Sequence, residues 1–411
     1  MKLIFTIILL TYLSKVFVEK IFYLDIYPFI FSLLISVVLF QALSKKINKY
    51  LLLFVGSILL SFFTTTFINQ NLSHNYQNMI FLYLLQPVAI IMLMRFKTIE
   101  LSALNSFFVL KTISWTSIPL LIGCTYFYCV HLLGFPDPFE VFYIELTTAG
   151  SEVVLRNPSF MGSSLLLCGV ALVQFLSSQY LYSLTNQNIY KLISMFALLS
   201  VLLSLSRRAI LPILIYYFVV FILYPKRRGL KILMYSFLGF VAAILLIPDI
   251  FSLILMRIIS IFDIVNDSSN VSRVKLMFEG LRDVILKPWG LGFGSLSSVG
   301  YTVEEVHKLD EARVTESAVI TLLGEIGLLS MTIILLLLVK FLSVLKYPTL
   351  ILFVFPLAVE SVVGLGLLAP VVSFFTISFV CAIYYMELSA YKDSSTDGTK
   401  PKEIKNYELK V

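Results

Sequence analysis

Apolar runs of about 18 residues or more recur along nearly the whole chain, and each is long enough to cross a hydrocarbon layer as a helix. The pattern predicts membrane spans at about 3–19, 21–43, 50–68, 79–95, 112–134, 161–184, 189–206, 209–224, 232–255, 317–345, 348–366 and 368–388. The N-terminal run, MKLIFTIILLTYLSKVF, lacks a small-residue cleavage site and is followed by further spans, so it reads as an uncleaved first span. The stretch 101–111, ahead of the fifth span, is readable as an interfacial helix. Two long segments, 134–162 and 256–316, interrupt the alternation, and a polar tail over 389–411 follows it, expected to be disordered. The expected organisation is an all-α polytopic membrane domain over residues 1–388, followed by that tail.

Composition sharpens this picture. A chain that is 59% apolar and 13% charged is not a soluble globular protein. Its net charge of +7 does not imply a nucleic-acid partner, because the basic residues flank spans instead of clustering on one face. With about twelve spans, the basic connections at 44–50, 95–100, 225–231, Lys346 and the tail all fall on one side, which the positive-inside tendency makes the cytoplasm. Both termini are then cytoplasmic, and 134–162 and 256–316 are outer loops. Lys15 and Lys20 stand outside as exceptions. The four cysteines lie in or beside apolar runs with no metal-ligand spacing, as small core residues do.

Seven basic residues crowd the second outer loop: Arg257, Arg273, Lys275, Arg282, Lys287, Lys308 and Arg313. Long loops tolerate such an excess, and a loop that handles anions would also show it. Within it, Val274, Met277, Phe278, Leu281, Val284 and Ile285 recur at near-helical spacing, predicting an amphipathic helix on the outer membrane face that ends at Pro288 and Gly290.

Chemistry is confined to a few places. Arg207 and Arg208 sit between two apolar runs, where they either mark a turn and snorkel to headgroups or offer a guanidinium fork to a diphosphate. Arg156 precedes an Asn157-Pro158 turn at an outer mouth. Gly290, Gly292 and Gly294 alternate after a proline, allowing close backbone approach to a ligand. Of three scattered histidines only His307 is placed to matter, and a solvated loop histidine is the plainer reading. Glu316 lies where the large loop re-enters the membrane, and Glu325 nine residues deeper; at about 1.5 Å per residue they share a helix side roughly 14 Å apart, so at most one serves as a base. Glu325, inside the apolar run, reads as structural. Glu360 and Lys111 also sit in apolar surroundings, with no reason visible in the sequence.

In order and spacing, Arg156-x-Pro-Ser-Phe-Met-Gly, Ser204-Leu-Ser-Arg207, Ser272-Arg273 with the amphipathic helix ending Pro-Trp-Gly-x-Gly292-x-Gly294, and Glu316-Ser317 followed by Glu325-x-Gly327 resemble the O-antigen ligase/polymerase superfamily over roughly residues 150–335. The resemblance implies an inverting, metal-independent glycosyltransferase of GT-C type in the bacterial cytoplasmic membrane, needing no cofactor. It would act at the outer face on glycans carried by undecaprenyl diphosphate. Ligases carry His-Asn at the start of the last motif, and this chain has Glu316-Ser317, which favours a polymerase of O-antigen or capsular repeat units. The implied catalytic residues are Glu316 as base with Arg273 and Arg207; Arg156, Arg208, Arg257, Gly292, Gly294 and His307 are implied for the diphosphate-linked substrate. The implied partners are lipid-linked donor and acceptor, membrane lipids and a chain-length regulator. A ligase-type transferase and a transporter or flippase of lipid-linked sugars are the alternatives.

Overall fold

The computed structural model describes residues 2–14, 27–44, 49–69, 81–95, 99–137, 145–149, 152–223, 268–292, 296, 317–363 and 369–396. The described elements are helical apart from one short ribbon. Helices α1 (Lys2–Leu13), α2 (Tyr27–Ser44) and α3 (Lys49–Asn69) are followed by a π turn, Phe81–Leu85, that leads into α4 (Gln86–Met94). Next come α5 (Ile99–Trp115), α6 (Ser117–Leu133), the strands β1 (Glu145–Ala149) and β2 (Glu152–Arg156), α7 (Ser164–Thr185), α8 (Asn188–Leu203) and α9 (Arg207–Leu223). Helix α10 (Ser268–Leu286) follows, and α11 (Ala318–Leu342), α12 (Phe355–Val363) and α13 (Pro370–Thr396) complete the series.

Helix α7 is the axis of the bundle, packed by α5, α8, α9 and α13. It is apolar nearly all round, as a helix with no lipid-facing side should be, and Leu167, Val170, Val173 and Leu176 are fully buried. Ser163 caps its start by accepting from the Leu165 N–H, and Asn186 ends it in the left-handed conformation. At Gly169 the helix meets α13 so closely that a Cβ would lie 2.9 Å from Val372. Polar side chains inside the bundle bond across helices, since hydrocarbon offers them no water. Tyr12 donates to Gln86 Oε1 at 3.1 Å while Gln86 donates to the Pro370 carbonyl at 2.7 Å, and Gln174 donates to Thr116 Oγ1 at 2.9 Å.

Among the described residues, four helices are long and apolar enough to cross a membrane: Ile99–His131, Ser164–Thr185, Ala318–Leu342 and Pro370–Tyr391. Shorter apolar helices lie at most of the other predicted spans, while the span at 232–255 falls outside the described residues. Two expectations change. The stretch 101–111 is no separate interfacial helix: it belongs to the first half of a 33-residue helical run that buries Ser106, Val109 and Leu110 against the bundle and bends at Thr116. Pro119 explains the bend, because it has no N–H to offer Trp115. The loop 134–162 holds an antiparallel ribbon, with Glu145 opposite Arg156 and Ala149 opposite Glu152, where Thr147, Thr148, Val153 and Val154 supply β-branched residues. Helix α13 also runs on to Thr396, into the expected tail, whose remaining residues 397–411 are outside the described set.

Candidate functional site

Two of the arginine-bearing segments are brought together by the ends of α6 and α7. After β2 the chain makes a tight turn, pinned because Asn157 Nδ2 donates to the Cys124 carbonyl at 2.9 Å and Asn157 Oδ1 accepts from the Ser159 N–H at 2.9 Å. Ser159 Oγ reaches the Leu120 carbonyl at 3.1 Å, and Gly123 makes room, since a Cβ there would collide with Ser159 and Phe160. Arg156, half-buried, stands directly ahead of this turn. The second segment follows α8, where Leu205 adopts the left-handed conformation and Ser204 Oγ accepts from the Ser206 N–H at 3.2 Å. Tyr128 of α6 donates to the Leu203 carbonyl at 2.8 Å, and Cys168 Sγ of α7 to Ser206 Oγ at 3.3 Å. Arg207 and Arg208 therefore open α9 beside the turn that follows Arg156. Two cations at a helix N-terminus oppose the helix dipole, and the combination suits an anion.

Arg208 is buried, as is Glu360 on α12, which packs against α9. Glu360 in its apolar helix thus lies on an element packed against the one that carries the buried Arg208. Lys111 has a simpler account: it is exposed on the surface of α5.

The third assembly joins α10 and the chain after it to α11. That helix is broken at Gly327, whose φ of 79° and ψ of 164° suit glycine alone. The residues after α10 form a strap laid into the break. The Leu291 N–H donates to the Gly324 carbonyl at 2.7 Å, the Leu328 N–H to the Pro288 carbonyl at 2.8 Å, and Ser61 Oγ of α3 to the Ile326 carbonyl at 2.8 Å. Backbone groups released by the break are thereby bonded, as non-helical chain at membrane depth requires. Gly290 fits because nothing larger would: a Cβ would lie 2.8 Å from the Glu325 carbonyl and 2.9 Å from the Gly327 nitrogen. The glycine spacing at this position serves a close approach to α11. Gly292 is also buried, with φ of 107°.

Glu325 is fully buried at the centre of the joint, where Tyr83 donates to one carboxylate oxygen at 2.6 Å and the Leu296 N–H to the other at 3.2 Å. Its expected structural role holds. Tyr83 is the residue sequence reasoning missed; its one signal is a phenol in an apolar run, where the hydroxyl needs a partner.

At the start of α11, Ser317 caps the helix, accepting from the Ile320 N–H at 3.5 Å. Glu316, Arg257, Gly294 and His307 lie outside the described residues, as do the side chains of Arg207 and Arg273. Arg273 nonetheless belongs to α10, seven residues before Gly280, which is buried, and eleven before Val284, which faces Gly324 of α11. Among the described residues, no group of three or more His, Cys, Asp or Glu is placed to hold a metal ion. No protein-family model matches the chain, and no curated protein matches it.

Proposed function

We propose that the chain is a polysaccharide polymerase of about twelve spans and GT-C type that joins undecaprenyl-diphosphate-linked repeat units at the outer face of the bacterial cytoplasmic membrane, with both termini inside. The observation that supports this reading best is the junction at α6 and α7, which sets the turn after Arg156 beside the start of α9, with Arg207 and Arg208. In the proposed reaction the bond between the donor's anomeric carbon and the diphosphate oxygen breaks as the acceptor hydroxyl attacks that carbon; undecaprenyl diphosphate leaves, and negative charge grows on its phosphate oxygens. Preorganised guanidinium groups stabilise that charge more than the ground state, which is what accelerates the step. Glu316 takes the proton of the acceptor hydroxyl as it attacks, and one in-line displacement inverts the anomeric centre. The polyprenyl tails stay in lipid throughout, and a chain-length regulator acts on the product.

The test is reconstitution in vesicles with lipid-linked repeat units, with products resolved on a gel. A ladder of polymer lengths is expected, unchanged by a chelator and absent from Glu316→Gln protein. A full ladder from Glu316→Gln refutes the base assignment. Movement of the units across the bilayer without joining refutes the polymerase in favour of a transporter.

A further inference from the structure

Helix α10 carries two apolar faces. Gly280 and Val284 are buried, and Val284 lies against α11, where a Cβ on Gly324 would be 3.6 Å from its Cγ2. Val271, Val274, Phe278, Leu281 and Ile285 recur every three or four residues on another side and are exposed, Phe278 to 68% and Ile285 to 76%. Lys275 and Arg282 stand four residues beyond Val271 and Phe278, on one edge of this stripe, and both are exposed. Trp289, just past the helix, is exposed as well.

The depth of this helix end can be measured along α11. The far end of α11 carries interfacial residues: Lys340 Nζ lies 4.5 Å from the centroid of the Tyr50 ring, and the helix is capped at Ser343. From Lys340 and Ser343 back to Gly327 is roughly 20 to 24 Å at 1.5 Å per residue. The hydrocarbon layer is about 30 Å thick. Gly327, with the strap bonded to it, therefore lies in the half of that layer away from Lys340 and below its loop-side surface. Leu328, Leu329, Leu335 and Leu336 of α11 are exposed from this level downward, as lipid-facing residues are.

We propose that α10 is sunk into the leaflet on the loop side of the membrane, its exposed stripe lying among the acyl chains. Lys275 and Arg282 extend from the edge of the stripe to the phosphate headgroups. Trp289 sits at the boundary between chains and headgroups. The helix is a wedge held by α11 on one side and by lipid on the other, and this placement is independent of any reaction.

Replacing Trp115 by Phe leaves Trp289 as the one tryptophan of the two in the chain. In vesicles of lipid brominated near the headgroup end of the acyl chains, its fluorescence should fall several-fold relative to unbrominated lipid, while aqueous acrylamide quenches it weakly. Strong quenching by acrylamide with no response to brominated lipid overturns the proposal. Spin labels at Phe278→Cys and Lys275→Cys give a second reading. Position 278 should be open to oxygen and closed to an aqueous nickel chelate, and position 275 should be open to the chelate. Both positions open to the chelate means a stripe in water. Position 278 closed to both reagents, with cross-links between copies, means a second copy covers it. Either result refutes the lipid contact.

Discussion

A buried carboxylate in a membrane bundle is tolerated when donors converge on it, and Glu325 has the Tyr83 hydroxyl and the Leu296 N–H. Removing the phenol oxygen leaves the acid one donor short without opening a cavity. Tyr83→Phe should therefore lower stability by about 1–2 kcal/mol, read as a lower melting temperature in detergent, and Glu325→Ala should cost more. An unchanged melting temperature in Tyr83→Phe would show that the bond contributes nothing. Arg208 and Glu360 call for a double-mutant cycle. Each change to Gln should destabilise, and the pair together should fall short of the sum by about 1–3 kcal/mol if the two charges support one another. Strict additivity would separate them.

For the elements, the break in α11 decides how the chain after α10 is seated. Gly327→Ala forces an L residue to a positive φ and drives its Cβ into the Trp289 carbonyl. The strap must lift, both inter-backbone bonds are at risk, and a loss of about 3 kcal/mol or more is expected. Limited proteolysis should then cut near residues 286–292 in the variant at protease concentrations that leave the parent intact. The sequence pointed to a glycine-rich turn here and to Glu325-x-Gly327 separately, but not to their union. Alternating glycines announce close approach without naming what approaches. Helix α10 was likewise legible as amphipathic, yet its apolar set mixed two faces: Val284 turns to α11, whereas Phe278 and Ile285 turn outward. Periodicity counts apolar positions and cannot assign each to protein or lipid.

On the scale of the whole molecule, most spans were readable because crossing hydrocarbon leaves its mark on every residue of a segment. Relations between segments were not. Tyr83 and Glu325 are 242 positions apart, and Cys168 and Ser206 are 38 apart, so neither pairing has a local signature. The ribbon at 145–156 was hidden for the opposite reason, since its two strands are too short to stand out inside a segment read only as a long loop. If guanidinium groups from separate segments act on one diphosphate, Arg207→Ala and Arg273→Ala should each reduce chain elongation at least about 100-fold. Their melting temperatures should stay near the parent value. A matching loss of folded protein would assign these residues to stability instead.

The clamp on α11 has a practical consequence for engineering. Ser57, Ser61 and Tyr83 all grip this helix, since Ser330 also donates to the Ser57 carbonyl at 3.0 Å. Hybrid proteins assembled by exchanging amino-terminal segments between related chains would break that grip unless residues 57–83 travel with their matching partner near 325–330. Crossovers placed after residue 95 would sever it, whereas an exchange that transfers both pieces together keeps the seam intact.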